Sequence, residues 1–148
     1  FALKAGGQIT SNRALSPDLY AVGGMGTVRG YPLSEFSGDQ GYTASAEYFF
    51  PIPSQEKFGV DDLTVSQVIS LSVFLDHGKV FVKDKQSGDK DQAISSAGMG
   101  IQINLPKAKV GWRPAVAFSL VYAAPVFGSP NPTDGSYGTW YANGALNF

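Results

Sequence analysis

Apolar and polar residues alternate with a period of two in six segments of the chain, which is the pattern of a β-strand with two different faces. These segments are Phe1–Thr10, Gly41–Phe50, Val68–Asp76, Ser96–Leu105, Ala115–Ala124 and Thr139–Phe148. Each is close to the length of about 9–11 residues that a tilted strand needs to cross a bilayer. No segment shows a helical period. The sequence therefore predicts an all-β protein.

The residues on the polar faces of these strands distinguish between two architectures, a soluble β-sandwich and a membrane barrel. In a soluble β-sandwich the polar face meets water and carries charged residues and Thr, whereas in a membrane barrel it lines a lumen and the apolar face meets lipid. Here the polar faces are mostly Ser, Gly, Asn, Gln and Ala, and charge is rare within the strands and common in the loops. Aromatic residues near the strand ends fit interfacial girdles: Tyr48, Phe50, Trp112, Tyr122, Trp140 and Tyr141. The pattern favours an antiparallel transmembrane β-barrel over the sandwich.

Composition narrows the choice of function. Charged residues make up 16% of the 148 residues, against about 25% in an average soluble domain. The net charge of −1 gives no basic surface for nucleic acid, and a chain with no Cys and one His offers no disulfide and no His-rich metal site. No apolar run reaches the length of a spanning helix. The chain opens directly on a strand-like segment, which predicts that it belongs to a longer protein.

A long loop, at about residues 11–40, separates the first two strands and indicates a functional element. It contains the stretch GGMGTVRGYPLSEFSGDQG, whose first three glycines, Gly23, Gly24 and Gly26, are predicted to adopt positive φ angles. The one arginine of this stretch, Arg29, offers five donors in a rigid fork and needs a carboxylate if it is buried. By the strand alternation, Asp76 and Glu47 both face the lumen, so both are candidate partners.

Two sequence blocks, a connecting pattern and the last residue together resemble the C-terminal barrel half of the Omp85 superfamily. The blocks are Val28-Arg29-Gly30-Tyr31 and Phe74-x-Asp76-x-Gly78, followed by the strand AGMGIQINL and a terminal Phe148. Among the branches of the superfamily, the pattern is most similar to the two-partner secretion transporters of the TpsB, or hemolysin-activator, type. The resemblance covers nearly the whole chain.

This resemblance implies a sixteen-stranded barrel whose last six strands are this chain, preceded by earlier strands and periplasmic POTRA domains. It implies that the long loop folds back into the lumen, where Asp76 holds Arg29 as a latch. Phe74 faces the same side and is expected to pack against the guanidinium. The resemblance also implies that Phe148 is recognised by the barrel assembly machinery.

The expected function is an outer-membrane pore that exports an unfolded exoprotein, such as a hemolysin or adhesin, in contact with outer-membrane lipid. The alternatives are an insertase that assembles unfolded outer-membrane proteins and a passive structural barrel or porin. No cofactor and no catalysis are expected: His77 follows Asp76 directly, so the two point to opposite faces, and no Gly-x-Ser-x-Gly elbow is present.

Six strands cannot close at the width of a sixteen-stranded barrel, and open edges in lipid leave backbone groups unpaired. An isolated chain is therefore expected to associate with a second copy or to curl into a smaller barrel.

Overall fold

Six strands form one antiparallel sheet in the computed structural model, which describes residues 1–58, 62–107, 114–126 and 128–147. In sheet order they are β1 (Ala2–Gln8), β4 (Gln40–Pro51), β5 (Ile69–Phe81), β6 (Gln92–Leu105), β7 (Ala115–Pro125) and β8 (Thr139–Asn147). A second, two-stranded sheet pairs β2 (Tyr20–Val22) with β3 (Phe36–Gly38), both within the long loop. The predicted all-β antiparallel fold is confirmed.

The strands β5 and β6 are longer than the sequence pattern predicts. β5 continues past Asp76 to Phe81, and β6 begins at Gln92 rather than Ser96. The added residues pair with each other and with β4, and two of them, Val80 and Ile94, are fully buried in an apolar cluster beneath the long loop. Packing by a distant segment therefore extends both strands.

Two short helices also depart from the prediction of no helix. A 3-10 turn covers Ser16–Asp18, and α1 covers Val65–Val68 immediately before β5. The α1 turn is closed by a capping box, in which the Thr64 and Gln67 side chains bond each other's backbone N–H groups. One helical turn is too short to show a period, so periodicity could not reveal it. Among the described residues no helix is long and apolar enough to cross a membrane.

The two faces of the six-stranded sheet have different surroundings. On β5, Ser72, Phe74 and Asp76 are buried, the last two under the long loop, whereas Val73 and Leu75 are 47% and 62% exposed. We call these the covered face and the open face. Large apolar residues are exposed on the open face of the other strands as well: Leu3, Tyr48, Met99, Phe118 and Trp140. The faces agree with the alternation read from the sequence, in which the apolar side is turned outward.

The long loop is an ordered unit that crosses the covered face. Its β2–β3 hairpin and the segment between them bury Val22, Val28 and Tyr31 against β5 and β6. Gly23 and Gly24 have φ angles of 116° and 88°, as predicted. The prediction for Gly26 is wrong, because its φ angle is not positive and space is open around it.

The sheet has two free edges within the described residues, β1 and β8, and does not close on itself. The count of sixteen strands, the upstream domains and self-association stay predictions. Phe148 and Trp112 lie outside the described residues.

Asp39 fastens the base of the long loop to the end of β5. Its carboxylate accepts hydrogen bonds from the backbone N–H groups of Lys83, at 2.7 Å, and Ala14, at 2.6 Å, and only 2% of the residue is exposed. These two backbone bonds lower the pKa of Asp39, since they favour its charged form. The Gly-Asp pair of the sequence stretch thus joins three chain segments.

Acidification tests whether the Asp39 carboxylate holds the loop to the end of β5. Because the native pKa is lowered, the stabilisation by Asp39 is complete above the ordinary pKa of about 3.9 and is lost as the pH falls through the lower native value. We expect the amide resonances of Ala14 and Lys83 to hold their positions down to about pH 4 and to move together below it, followed by NMR in detergent. Asp39→Asn should abolish this joint titration. Movement centred above about pH 4.5 would contradict the assignment.

Candidate functional site

The Val28–Tyr31 block lies in the segment between β2 and β3 and runs over the covered face of β5. Its four residues make contacts with four different parts of the sheet and its loops. The partners on β5 are Phe74, Asp76 and Gly78, which follow each other at a spacing of two and therefore share this face.

Arg29 is bound by carboxylates on two neighbouring strands. Its Nε and Nη2 donate to the two oxygens of Asp76 at 2.7 and 2.9 Å, and its Nη1 donates to Glu47 at 3.0 Å. The Asp76 side chain is 1% exposed and that of Arg29 is 12% exposed. Asp76 also accepts the backbone N–H of Arg29 at 3.1 Å, so one carboxylate fixes both the main chain and the side chain of the loop.

Ser45 completes the arrangement on the covered face of β4. Its hydroxyl donates to Asp76 at 2.6 Å and accepts from Arg29 Nη2 at 3.3 Å. The β4–β5 register places Ser45 directly opposite Asp76, with Glu47 opposite Phe74. Burial alone would lower the pKa of Arg29, but the hydrogen bonds and charges of Asp76 and Glu47 outweigh it and raise that pKa. The guanidinium is therefore held as a cation.

An aromatic ring supports the guanidinium from beneath. The Cζ atom of Arg29 lies 3.3 Å from the centroid of the Phe74 ring, in stacking contact. The ring in turn lies against Gly98 of β6, where an added Cβ would come within 2.8 Å of Phe74 Cε1 and would also meet the carbonyl oxygen of Tyr122. The missing side chain at Gly98 lets the ring lie close to the sheet, and the ring sets the height of Arg29.

Val28 and Gly78 form a matched pair. Val28 is fully buried among Val22, Val80 and Ile94, and a Cβ at Gly78 would approach its Cγ2 to 2.8 Å. Gly78 thus provides the space in which Val28 packs. Each position of the Phe-x-Asp-x-Gly block receives one group of the Val28–Tyr31 block.

Gly30 and Tyr31 attach the segment to β8 and to the β7–β8 loop, at one edge of the sheet. The Gly30 N–H donates to the hydroxyl of Tyr141 on β8 at 3.0 Å, and the Tyr31 hydroxyl donates to the carbonyl of Pro130 at 2.9 Å. Gly30 has a φ angle of 86°, and a Cβ there would lie 3.0 Å from the backbone of Ala123, so only glycine suits this position. At the other edge, Lys4 of β1 donates to the carbonyl of Gly26 at 3.1 Å. The segment therefore spans the sheet from β1 to β8.

The structure brings six of the eight residues expected in the latch and its partner set into direct contact: Val28, Arg29, Phe74, Asp76, Gly78 and Glu47. Gly30 bonds Tyr141 of β8 instead, and Tyr31 bonds the β7–β8 loop. Phe148, the expected assembly signal, lies outside the described residues. The latch role itself stays a prediction.

Three contributors were not foreseen: Ser45, Gly98 and Tyr141. The assignment of Tyr141 to the lipid girdle is wrong, because its hydroxyl lies on the covered face against Gly30. Strand alternation could have predicted this position, because Trp140 is directed to the open face and the adjacent Tyr141 must then be directed to the covered face. For Ser45 and Gly98 the sequence alone could not show which residues stand opposite Asp76 and Phe74.

His77 and Asp76, which are adjacent in sequence, lie on opposite faces of β5 and do not share a site. His77 lies on the open face, with its Nδ1 atom 2.7 Å from the hydroxyl of Ser95, and Asp76 is engaged with Arg29 on the other face. Within the described ranges no three His, Asp or Glu residues gather in a way that could hold a metal ion.

Comparison with known proteins agrees with this geometry. The Omp85 superfamily domain matches residues 3–141, and the chain belongs to the Omp85 superfamily. No curated protein and no solved structure matched the chain in the other two comparisons. The superfamily handles protein clients in the outer membrane of bacteria, in their transport or insertion.

Substitution of Gly98 tests the platform beneath Arg29. Gly98→Ala should displace the Phe74 ring and destabilise the fold by about 1–3 kcal/mol, the usual effect of overpacking. The measurement is the urea midpoint of the folded, heat-modifiable band in cold SDS electrophoresis. Gly26→Ala is the matched control, since open space surrounds Gly26 and its φ angle suits any residue. Equal midpoints for the two variants would refute the platform role.

Proposed function

We propose that this chain is part of a two-partner secretion transporter of the TpsB type, which passes an unfolded exoprotein such as a hemolysin or adhesin through a barrel lumen. In this role the covered face is the lumen wall and the segment from 23 to 35 lies inside the pore. Membership of the Omp85 superfamily supports the general function. The binding of Arg29 by Asp76 and Glu47 carries the more specific proposal.

The ion pair is suited to holding a segment in place. Breaking a buried pair by removing one partner usually costs about 3–5 kcal/mol, because the remaining charge is left unpaired in a poorly hydrated site. Here loss of Arg29 would leave Asp76, which is 2% exposed, with only the Ser45 hydroxyl as a side-chain partner. Spontaneous release of the segment is thus rare, and the pore keeps a constant shape.

The remainder of the wall suits an unfolded client. Along β6, β7 and β8 the covered face presents uncharged residues that are half-buried or exposed: Gln102, Asn104, Ala117, Ser119, Asn143 and Ala145. Small, mostly uncharged groups give a sliding polypeptide few strong contacts. In this role the chain makes and breaks no covalent bond and needs no cofactor; the client is moved, not modified.

Replacing Arg29 in the full-length transporter tests the proposal. Arg29→Ala should lower secretion of the cognate exoprotein by roughly tenfold or more per folded barrel, because the latched fraction falls with the lost pair. Arg29→Lys keeps the charge but cannot bind Asp76 through two parallel bonds, and should give an intermediate result. The readout is exoprotein in the medium, normalised to the heat-modifiable barrel.

The matched control is Arg13→Ala, which removes an exposed arginine of the same loop that pairs with Asp89 at 3.5 Å. It should secrete normally. Normal secretion by Arg29→Ala would disprove the latch. If depletion of the protein lowers the amounts of unrelated outer-membrane barrels and leaves the exoprotein unaffected, the protein is an insertase and the transporter proposal fails.

A further inference from the structure

The open face of the six-stranded sheet carries one lysine. Within the strands, whose residues are all described, this face is otherwise uncharged apart from the titratable His77. The lysine is Lys79 of β5, in line with Val73, Leu75 and His77 at a spacing of two. The face around it is the one that exposes the large apolar residues to the surroundings. A cation in this position requires a physical explanation.

The side chains around Lys79 form a defined aromatic cluster. The ammonium lies 4.8 Å from the centroid of the Phe81 ring, and the Tyr42 ring lies 6.3 Å from that of Phe81. Tyr42 and His77 are held in turn, because the Tyr42 hydroxyl is 3.3 Å from His77 Nε2 and His77 Nδ1 is 2.7 Å from the Ser95 hydroxyl. We call Tyr42, His77, Lys79 and Phe81 the belt cluster.

Lys79 has no ion-pair partner among the described residues and donates no hydrogen bond to them. Its ammonium contacts the Phe81 ring, and Asp91 attracts it only from beyond ion-pair distance. The nearby Asp91 is paired with Lys85 at 2.8 Å and also accepts the N–H of Val82. Up to three ammonium donors are therefore available for a group from outside the chain.

The position of Lys79 along its strand indicates which group this is. It stands two residues before Phe81, the end of β5, so it lies about 7 Å from the strand end, next to the charged loop 82–91. Lysine on the lipid side of a barrel is strongly unfavourable at the bilayer centre and nearly neutral near the interface. The belt cluster therefore belongs to the headgroup layer. The long loop lies at this same end, and long loops mark the external side.

We propose that the belt cluster binds the phosphate-bearing headgroup of a lipid in the external leaflet of the outer membrane. The Lys79 ammonium contacts the phosphate as a point charge, and the Tyr42 hydroxyl, at its rim, can donate a second bond. The Tyr42 ring, directly opposite Lys79, contacts the apolar part of the lipid, as aromatic residues do at membrane interfaces, and the Phe81 ring flanks the ammonium at the outer end of β5. The charge of the phosphate matches the one cation of this face.

Retention of lipid by the purified full-length protein tests this site. The protein is placed in phosphatidylcholine nanodiscs containing bisphosphorylated lipid A, and the lipid A molecules that stay bound are counted by native mass spectrometry. Lys79→Gln should reduce retention about fivefold, the usual effect of one lysine at an anionic surface. Lys79→Arg should retain the lipid. The unaltered protein should also prefer bisphosphorylated over dephosphorylated lipid A by a similar factor, a comparison that needs no variant.

Lys90→Gln is the matched control, because it removes an exposed lysine of the adjacent loop with the same change in charge. It should retain lipid A normally. Equal lipid A retention by Lys79→Gln and the unaltered protein would show that Lys79 only extends into water and would overturn the proposal. Equal loss of lipid A in Lys79→Gln and Lys90→Gln would show non-specific charge attraction and would also overturn it. Displacement of lipid A by inorganic phosphate at matched concentration would also overturn it, since the site would then take free phosphate.

Discussion

The contact between Arg29 and Asp76 is the interaction on which the arrangement of the covered face depends. One carboxylate receives the backbone N–H, the Nε and the Nη2 of the same arginine. A flexible side-chain contact would restrain only the tip of a long residue, whereas this one also fixes the main chain of the loop. The positions of Val28 on one side and Gly30 on the other follow from it, because they are its chain neighbours.

The two sequence blocks fit each other because strand and loop present their groups with different spacing. β5 supplies Phe74, Asp76 and Gly78 on one face, about 7 Å apart. The loop spans that distance with consecutive residues, so Arg29 covers both the ring and the carboxylate while Val28 fills the space at Gly78. Alternate residues of β5 therefore have different roles: Phe74, Asp76 and Gly78 contact the loop, and the residues between them form the apolar open face.

Alternation in the sequence predicted more of this site than any single motif did. It placed Asp76, Glu47 and Phe74 on one side of the sheet, and the arginine of the Val28–Tyr31 block required a carboxylate there. Alternation could not select between Asp76 and Glu47 as the partner of Arg29, and in the structure both carboxylates bind it. It also could not identify Ser45 and Gly98, because their roles depend on the register between neighbouring strands. The extension of β5 to Phe81 was missed for a related reason: Val80 is buried by a loop that is distant in sequence.

Arg29 and Lys79 are two cations on opposite faces of one sheet, and they are neutralised in different ways. On the covered face, poor hydration makes an unpaired charge expensive, and the protein supplies two carboxylates and a ring. On the open face the described residues supply Lys79 with a ring and with no carboxylate at ion-pair distance. A carboxylate there would add a second charge on the lipid side, whereas the headgroup layer already contains anions. The missing partner of Lys79 is therefore expected in the membrane, just as the partner of Arg29 is found in the wall.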